Sequence, residues 1–263
     1  MAPSIRSRMA RLVSGAPEPL VFDDSFDSWE AAEGAADGYD SREIIDRVVR
    51  STRAVKAGSG LFERDGIVFH NPEYRWPVAY ALATSVAEHG ELRVLDVGGS
   101  LGSVYWQHRG LLTPDISAWT ILEQQAFVDE GRSLDLDPLT FAADLVDAER
   151  FGPWHVALFS SVLQYVPQPW EVLASILDTG VDCLVIDRTP FHPGPSDIPT
   201  LQRVPAHIYP ASYPAWILSE SRLQEALSGW HIVARFPGIE PSMRTSGGTE
   251  FTWSGLIATR VGT

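Results

Sequence analysis

The segment Val94-Leu95-Asp96-Val97-Gly98-Gly99-Ser100-Leu101-Gly102-Ser103 constrains what this chain can fold into more than any other stretch. An apolar run too short for a helix leads directly into small residues, and those lead into a helical pattern. A strand, tight turn and helix in that order are the opening unit of a parallel sheet with helices on both faces. Beyond residue 90 the alternation continues. Short apolar runs at 93–97, 118–123, 139–142, 155–160 and 182–187 predict strands, and the stretches 103–112, 126–134 and 169–177 predict helices between them. A helix over 219–227 precedes two β-prone runs, 230–236 and 251–260, which the Gly- and Ser-containing stretch 237–249 joins as a hairpin. The expected fold is α/β: a Rossmann-like, seven-stranded, mostly parallel sheet with a C-terminal antiparallel hairpin.

Upstream lies a preface of different character. Residues 1–39 are rich in Ala, Gly, Pro, Ser and Asp, which predicts a flexible start that docks later. Asp40 and Glu43 form a capping-box-like pair at the head of a helix running to about Ala57, with Ile44, Ile45, Val48, Val49 and Val55 on one face. Pro77 suits the first turn of a second helix, which Gly90 stops. The expected division is a flexible start and helical cap over 1–90, then a catalytic domain over 91–263.

Several function classes are disfavoured. A net charge of −14 argues against a chain that grips a nucleic-acid backbone, which needs clustered Lys and Arg. The single cysteine, Cys183, sits in an apolar run and can build neither a disulfide framework nor a cysteine metal cage. No apolar run reaches the ~18 residues of a membrane span, and no apolar stretch follows the early arginines as in a secretory signal. A cytoplasmic location without membrane association is expected. The seven histidines show no helical i, i+4 pair, so no metal site is expected.

The glycine-rich turn sits at the carboxyl end of its strand, where open parallel sheets bind ligands. The dinucleotide fingerprint requires Gly at offsets zero, two and five, and it fails from Gly98 (Ser100, Ser103) and from Gly99 (Leu101, Val104). No Gly-Lys-Ser or Gly-Lys-Thr follows, so a P-loop fails as well. The acidic Asp96 at the end of the strand instead suits a cofactor with an ammonium and a sulfonium and no pyrophosphate, beside which Gly98, Gly99, Ser100 and Gly102 let a ligand approach the backbone. Asp96 either receives that ammonium, directly or through water, or orients its own turn. Glu123, with Gln124 beside it, ends the second strand where a carboxylate can accept both ribose hydroxyls. Asp144 follows the third strand, within reach of an adenine amino group. Ser160, Ser161, Gln164 and Tyr165 follow the fourth and are expected beneath the cofactor, with Tyr165 either facing the reacting centre or simply packing.

Four segments carry a resemblance: the turn itself, Ser160-Ser161-Val162-Leu163-Gln164-Tyr165, Ile186-Asp187-Arg188-Thr189-Pro190-Phe191, and the stretch from Arg203-Val204-Pro205 to Ile208-Tyr209-Pro210-Ala211-Ser212-Tyr213-Pro214. Together they resemble a family of bacterial class I S-adenosylmethionine-dependent methyltransferases of unsettled substrate. Ser28-Trp29-Glu30, Gly38-Tyr39-Asp40 and Glu63-Arg64-Asp65 are similar to that family's preface, so the resemblance spans nearly the whole chain. In the wider class the loop reads Asp or Glu, any, Gly, any, Gly, any, Gly; here Ser100 stands at the middle Gly position.

The resemblance implies methyl transfer from S-adenosylmethionine to a small biosynthetic acceptor, O-methylation among the options. Another reaction on the same sulfonium (cyclisation or aminocarboxypropyl transfer) and a non-catalytic nucleoside-binding module stay open. Residues 187–216 are expected as a long Pro-rich loop forming the acceptor wall. There Arg188 is expected to pair with an anionic acceptor, and Tyr209, Tyr213 and Trp216 to enclose the sulfonium. A hydroxyl or amine acceptor needs a base, for which His192 and His207 are candidates and Asp187 a weaker one. A homodimer is among the open arrangements.

Overall fold

Residues 20–36, 41–113, 115–204 and 211–261 are described by the computed structural model of the chain. The order begins β1 (Val21–Asp23), α1 (Trp29–Gly34), α2 (Ser41–Lys56), β2 (Phe62–Arg64), β3 (Ile67–Phe69) and α3 (Trp76–His89). The alternating part follows: β4 (Leu92–Val97), α4 (Ser103–Leu112), β5 (Ile116–Leu122), α5 (Gln125–Ser133), β6 (Leu139–Ala142), α6 (Leu145–Ala148), β7 (Val156–Ser160), α7 (Pro169–Leu177) and β8 (Cys183–His192). The chain closes with β9 (Ile198–Val204), β10 (Ala211–Ser219), α8 (Glu220–Ala226), β11 (Trp230–Pro237), β12 (Met243–Arg244) and β13 (Glu250–Arg260).

The strands β6, β5, β4, β7 and β8 lie side by side in parallel, and β13 and then β11 add antiparallel strands at the far edge. This is the expected seven-strand path. Neighbouring residues alternate between two apolar layers. Val94, Ile121, Leu158 and Val185 enter one, and Leu95, Ala142, Phe159 and Ile186 enter the other, which is why these runs look continuously apolar in sequence. Gly90 ends α3 in the left-handed region at φ 76°, its N–H bonded to the Val86 carbonyl.

The stretch expected as a long loop instead extends the sheet. Strand β8 runs on to His192, and β9 and β10 form an antiparallel pair beyond it, with β1 on the outer edge of β9. Along β8 the partner on one edge changes: β7 pairs as far as Asp187, and β10 takes over at Phe191 and His192. Phe22, Ala215, Ile217, Phe251 and Trp253 fill a small apolar core of this annex. Part of the start expected to be flexible, residues 20–36, is therefore built into the annex, while Asp40 lies outside the described residues.

The preface holds an unexpected hairpin, β2–β3, between α2 and α3. Asp65 and Gly66 at its tip both have positive φ, 55° and 71°, the geometry of a two-residue turn whose twist matches the flanking strands. Among the described residues no helix is long and apolar enough to cross a membrane.

Candidate functional site

The turn after β4 is held in a left-handed staircase. Gly98, Ser100 and Gly102 have φ of 67°, 56° and 92°. Ser100 thus adopts the conformation that the missing middle glycine would supply, at a cost on the order of 1 kcal/mol for a residue carrying Cβ. Gly99 is needed for another reason: a Cβ there would lie 2.5 Å from the Asp96 carboxyl carbon. The Gly98 N–H bonds to the Leu122 carbonyl at 2.8 Å, tying the turn to the neighbouring strand.

Asp96 lies beneath this turn and is fully buried. Its Oδ2 accepts from the Trp119 indole at 3.0 Å, and its Oδ1 is buried with no partner. Burial pushes the carboxyl up to about 7. Glu123 follows β5, as expected, and accepts from the backbone N–H of Gln124 at 2.6 Å and from that of Ser100. Burial raises its pKa, and the two N–H donors work against the rise. The glycine-rich turn and the carboxylate of the second strand therefore meet at one place. Gln124 is exposed beside them.

Asp144 is exposed and caps α6, its Oδ1 accepting from the Asp147 N–H at 2.7 Å. Ser160 ends β7 opposite Asp187. Ser161 follows at φ 59°, and its N–H donates to the Asp187 carbonyl at 2.9 Å. Val162 then folds over Gly98, where a Cβ would meet its side chain at 2.3 Å. Gln164 is buried: its amide donates to Ser161 Oγ at 3.0 Å, and its Oε1 has no partner. Two buried acceptor atoms thus lack donors, Asp96 Oδ1 beneath the turn and Gln164 Oε1 two residues after the Val162 that covers it.

Tyr165 opens onto the annex. Its hydroxyl donates to Gln202 Oε1 at 3.1 Å, and the Gln202 amide donates to the Tyr213 hydroxyl at 3.0 Å. The two phenol rings meet edge to face at 5.4 Å. Burial pushes the Tyr165 phenol up to about 12. Trp216 stacks on Trp29 of α1 at 5.4 Å, so one of its faces is used within the annex.

The candidate bases and the anion partner are engaged otherwise than expected. His192 has both ring nitrogens occupied by its own turn: Nδ1 accepts from the Gly194 N–H at 3.1 Å and Nε2 donates to the Ser196 carbonyl at 2.8 Å. It locks a turn and has no free lone pair for proton abstraction. Asp187 is taken by Arg75, with contacts of 2.5 and 3.1 Å, and is nearly inaccessible. Arg188 pairs with Glu240 at 2.8 Å, so its charge is already balanced within the protein. His207 and Tyr209 lie outside the described residues. Among the described residues no group of three or more His, Cys, Asp or Glu could hold a metal ion.

The position of Asp187 and Arg188 has a local cause. Between Ser254 and Leu256 the pairing of β13 with β8 slips, leaving an extra residue on β8, and Arg188 there has φ 52°. Such a bulge re-aims side chains, and here it sends two neighbouring charges to separate partners, one in the preface and one on the loop before β12.

Arg75 was not singled out from sequence. It precedes α3, donates its backbone N–H to His108 Nε2 at 3.1 Å, and sends its guanidinium to Asp187 and the Pro237 carbonyl. Only a long-range contact marks it. Glu63 was noted only within the resemblance, yet it is fully buried beside the turn and accepts from the Ser103 hydroxyl and the Gly66 N–H.

No protein-family profile matches the chain, and no curated protein matches it. Among solved structures, the N-terminal domain of EvdMO1 in the presence of SAH and D-fucose is 18% identical, with 84% of this chain and 97% of that one covered at a TM-score of 0.46. The [4+2]-cyclase SpnF is 15% identical over 83% and 94%, at 0.47. Magnesium protoporphyrin IX methyltransferase (ChlM) from Synechocystis PCC 6803 with bound SAM is 14% identical over 85% and 99%, at 0.42. Overlap this loose assigns nothing to the chain, whose fold stands on its own strand order.

Proposed function

We propose that the chain binds S-adenosylmethionine at the turn of residues 98–102 and is a methyltransferase acting on a small-molecule acceptor. One observation carries this reading: the Gly98 N–H bonds to the Leu122 carbonyl at 2.8 Å, which holds the turn against the strand end where the Glu123 carboxylate follows. A strong acceptor for vicinal hydroxyls thereby sits beside a turn whose one large side chain, Leu101, is buried in the core, in the crevice at the carboxyl ends of parallel strands. The buried acceptors Asp96 Oδ1 and Gln164 Oε1, which lack donors, fit a ligand that brings an ammonium, directly or through water.

When bound, S-adenosylmethionine supplies an electrophilic methyl group. The chain's own task is then to hold and to shield. Glu123 would hold the ribose, Asp96 and Gln164 the amino acid end, and Asp144 is placed after the third strand to bound the base. Tyr165, Gln202 and Tyr213 form a hydroxyl–amide–hydroxyl row that would orient an acceptor by neutral hydrogen bonds. Val162 and the preface would keep water out. We read residues 1–90 as the cap and 91–263 as the catalytic domain.

A second reading, another reaction on the same sulfonium, draws on the engagement of His192 and Asp187, neither of which is a free base. Incubation of the protein with S-adenosylmethionine alone separates the two. Methylthioadenosine formed without acceptor rejects methyl transfer. S-adenosylhomocysteine formed only when an acceptor from a panel is added supports it.

A further inference from the structure

The hairpin β2–β3 reaches the glycine-rich turn through one buried side chain. Glu63 is wholly inaccessible, and its two carboxylate oxygens are used separately: Oε1 accepts from the Ser103 hydroxyl and Oε2 from the Gly66 N–H at 3.2 Å. Ser103 is the first residue of α4, directly after Gly102, so the bond fixes the point where the turn becomes helix. The tip of the hairpin is itself secured from α2. The Gly66 carbonyl accepts from Ser51 Oγ at 2.6 Å and from Arg47 Nε at 3.4 Å.

A carboxylate is an expensive group to bury, since removing it from water costs several kcal/mol unless donors compensate. Packing alone would be served better by an apolar side chain. What a carboxylate adds is a strong acceptor near the positive end of a ten-residue helix, aimed at a hydroxyl on its first turn. The charged groups facing Glu63 are Arg64 and Asp65 from its own hairpin, with Arg47 reaching Gly66 from α2. Among the described residues no ion pair to it is formed.

We propose that Glu63 is a positioning residue for the cofactor turn, holding Ser103 and with it residues 98–102 in the shape that binds the adenosyl amino acid. This rests on the function proposed above. The N-terminal hairpin then sets cofactor affinity without touching the cofactor. Burial pushes the Glu63 carboxyl from its ordinary 4.5 up to about 7. The charged, doubly accepting form is therefore half populated near neutrality, nearly complete by pH 8 and lost below 6, so affinity should fall between pH 8 and 5.5, a window in which the Asp96 carboxyl also titrates.

The test is titration calorimetry of S-adenosylhomocysteine into the full chain at several pH values, with the unfolding temperature of the unliganded protein measured in parallel. Ser103→Ala and Glu63→Gln are expected to weaken binding at pH 8 on the order of tenfold, as for one hydrogen bond to a charged group, and Glu63→Gln to make the pH dependence shallower, leaving the share due to Asp96. Ser103→Thr, which keeps the hydroxyl, is expected to bind like the parent. Parent-like affinity and pH slope in Ser103→Ala and Glu63→Gln would overturn the proposal, including when unfolding temperatures fall, since that marks a role in folding alone. No binding by the parent protein would remove the cofactor reading itself, and this proposal with it.

Discussion

Arg75 and Asp187, 112 residues apart in the chain, close on each other through two contacts of 2.5 and 3.1 Å and bind the head of α3 to the bulge in β8. Neither side chain is well exposed, at 13% and 1%. Cutting such a pair leaves a buried charge alone. Arg75→Ala or Asp187→Asn is expected to lower stability by about 3–5 kcal/mol in urea unfolding, whereas the double change Arg75→Met with Asp187→Leu should recover most of the loss. Single changes costing under about 1 kcal/mol would show that the preface does not depend on this tie.

Ser100 occupies left-handed backbone without being glycine. Ser100→Gly should relieve that strain and leave stability equal or raised by up to about 1 kcal/mol, while Ser100→Val, with a branched Cβ, should lower it. Thermal unfolding of the three proteins decides the matter. Equal midpoints for Gly and Val variants would contradict the assigned geometry.

Glu123 is expected to be the main polar contact to the ribose. Glu123→Ala should weaken binding of S-adenosylhomocysteine by roughly 1.5–3 kcal/mol by calorimetry, with a fold unchanged by circular dichroism. Unaltered affinity would place the sugar elsewhere.

Asp96 gives a pH signature. Burial lifts its carboxyl from 3.8 to about 7, so the folded state holds the proton more tightly than the unfolded chain. The stabilisation this contributes is complete below the ordinary 3.8 and is lost as pH rises through 7, a swing on the order of 4 kcal/mol. Asp96→Asn keeps an acceptor for the Trp119 indole and should remove this component of the pH dependence, leaving the variant more stable than the parent at pH 8. Parallel stability curves between pH 4 and 8 would refute it.

Much of the sheet was legible because its strands are buried on both faces. Runs such as Val156–Phe159 and Cys183–Ile186 are continuously apolar, so their place follows from pattern. The position of Glu123 directly after a strand was legible because it ends such a run. The hairpin β2–β3 was missed because each strand has three residues, too few to show a period, although Asp65-Gly66 is a direct turn signal. Pro190, Pro199 and Pro214 made the annex read as loop, yet each lies within a strand. The partners of Arg75, Arg188 and Glu63 come from distant elements, and nothing local in their sequence announces a contact 112, 52 or 40 residues away.

The annex leaves β8 and returns to it at one seam, where Phe191 pairs with Leu218 and His192 with Ser219. An excursion whose entry and exit are neighbours closes on itself, so β9 and β10 are inserted without interrupting the order of the seven central strands. What anchors it to the rest is Phe22 from β1 and Phe251 and Trp253 from β13, the strand that also borders β8, so its shape is set from both ends of the chain.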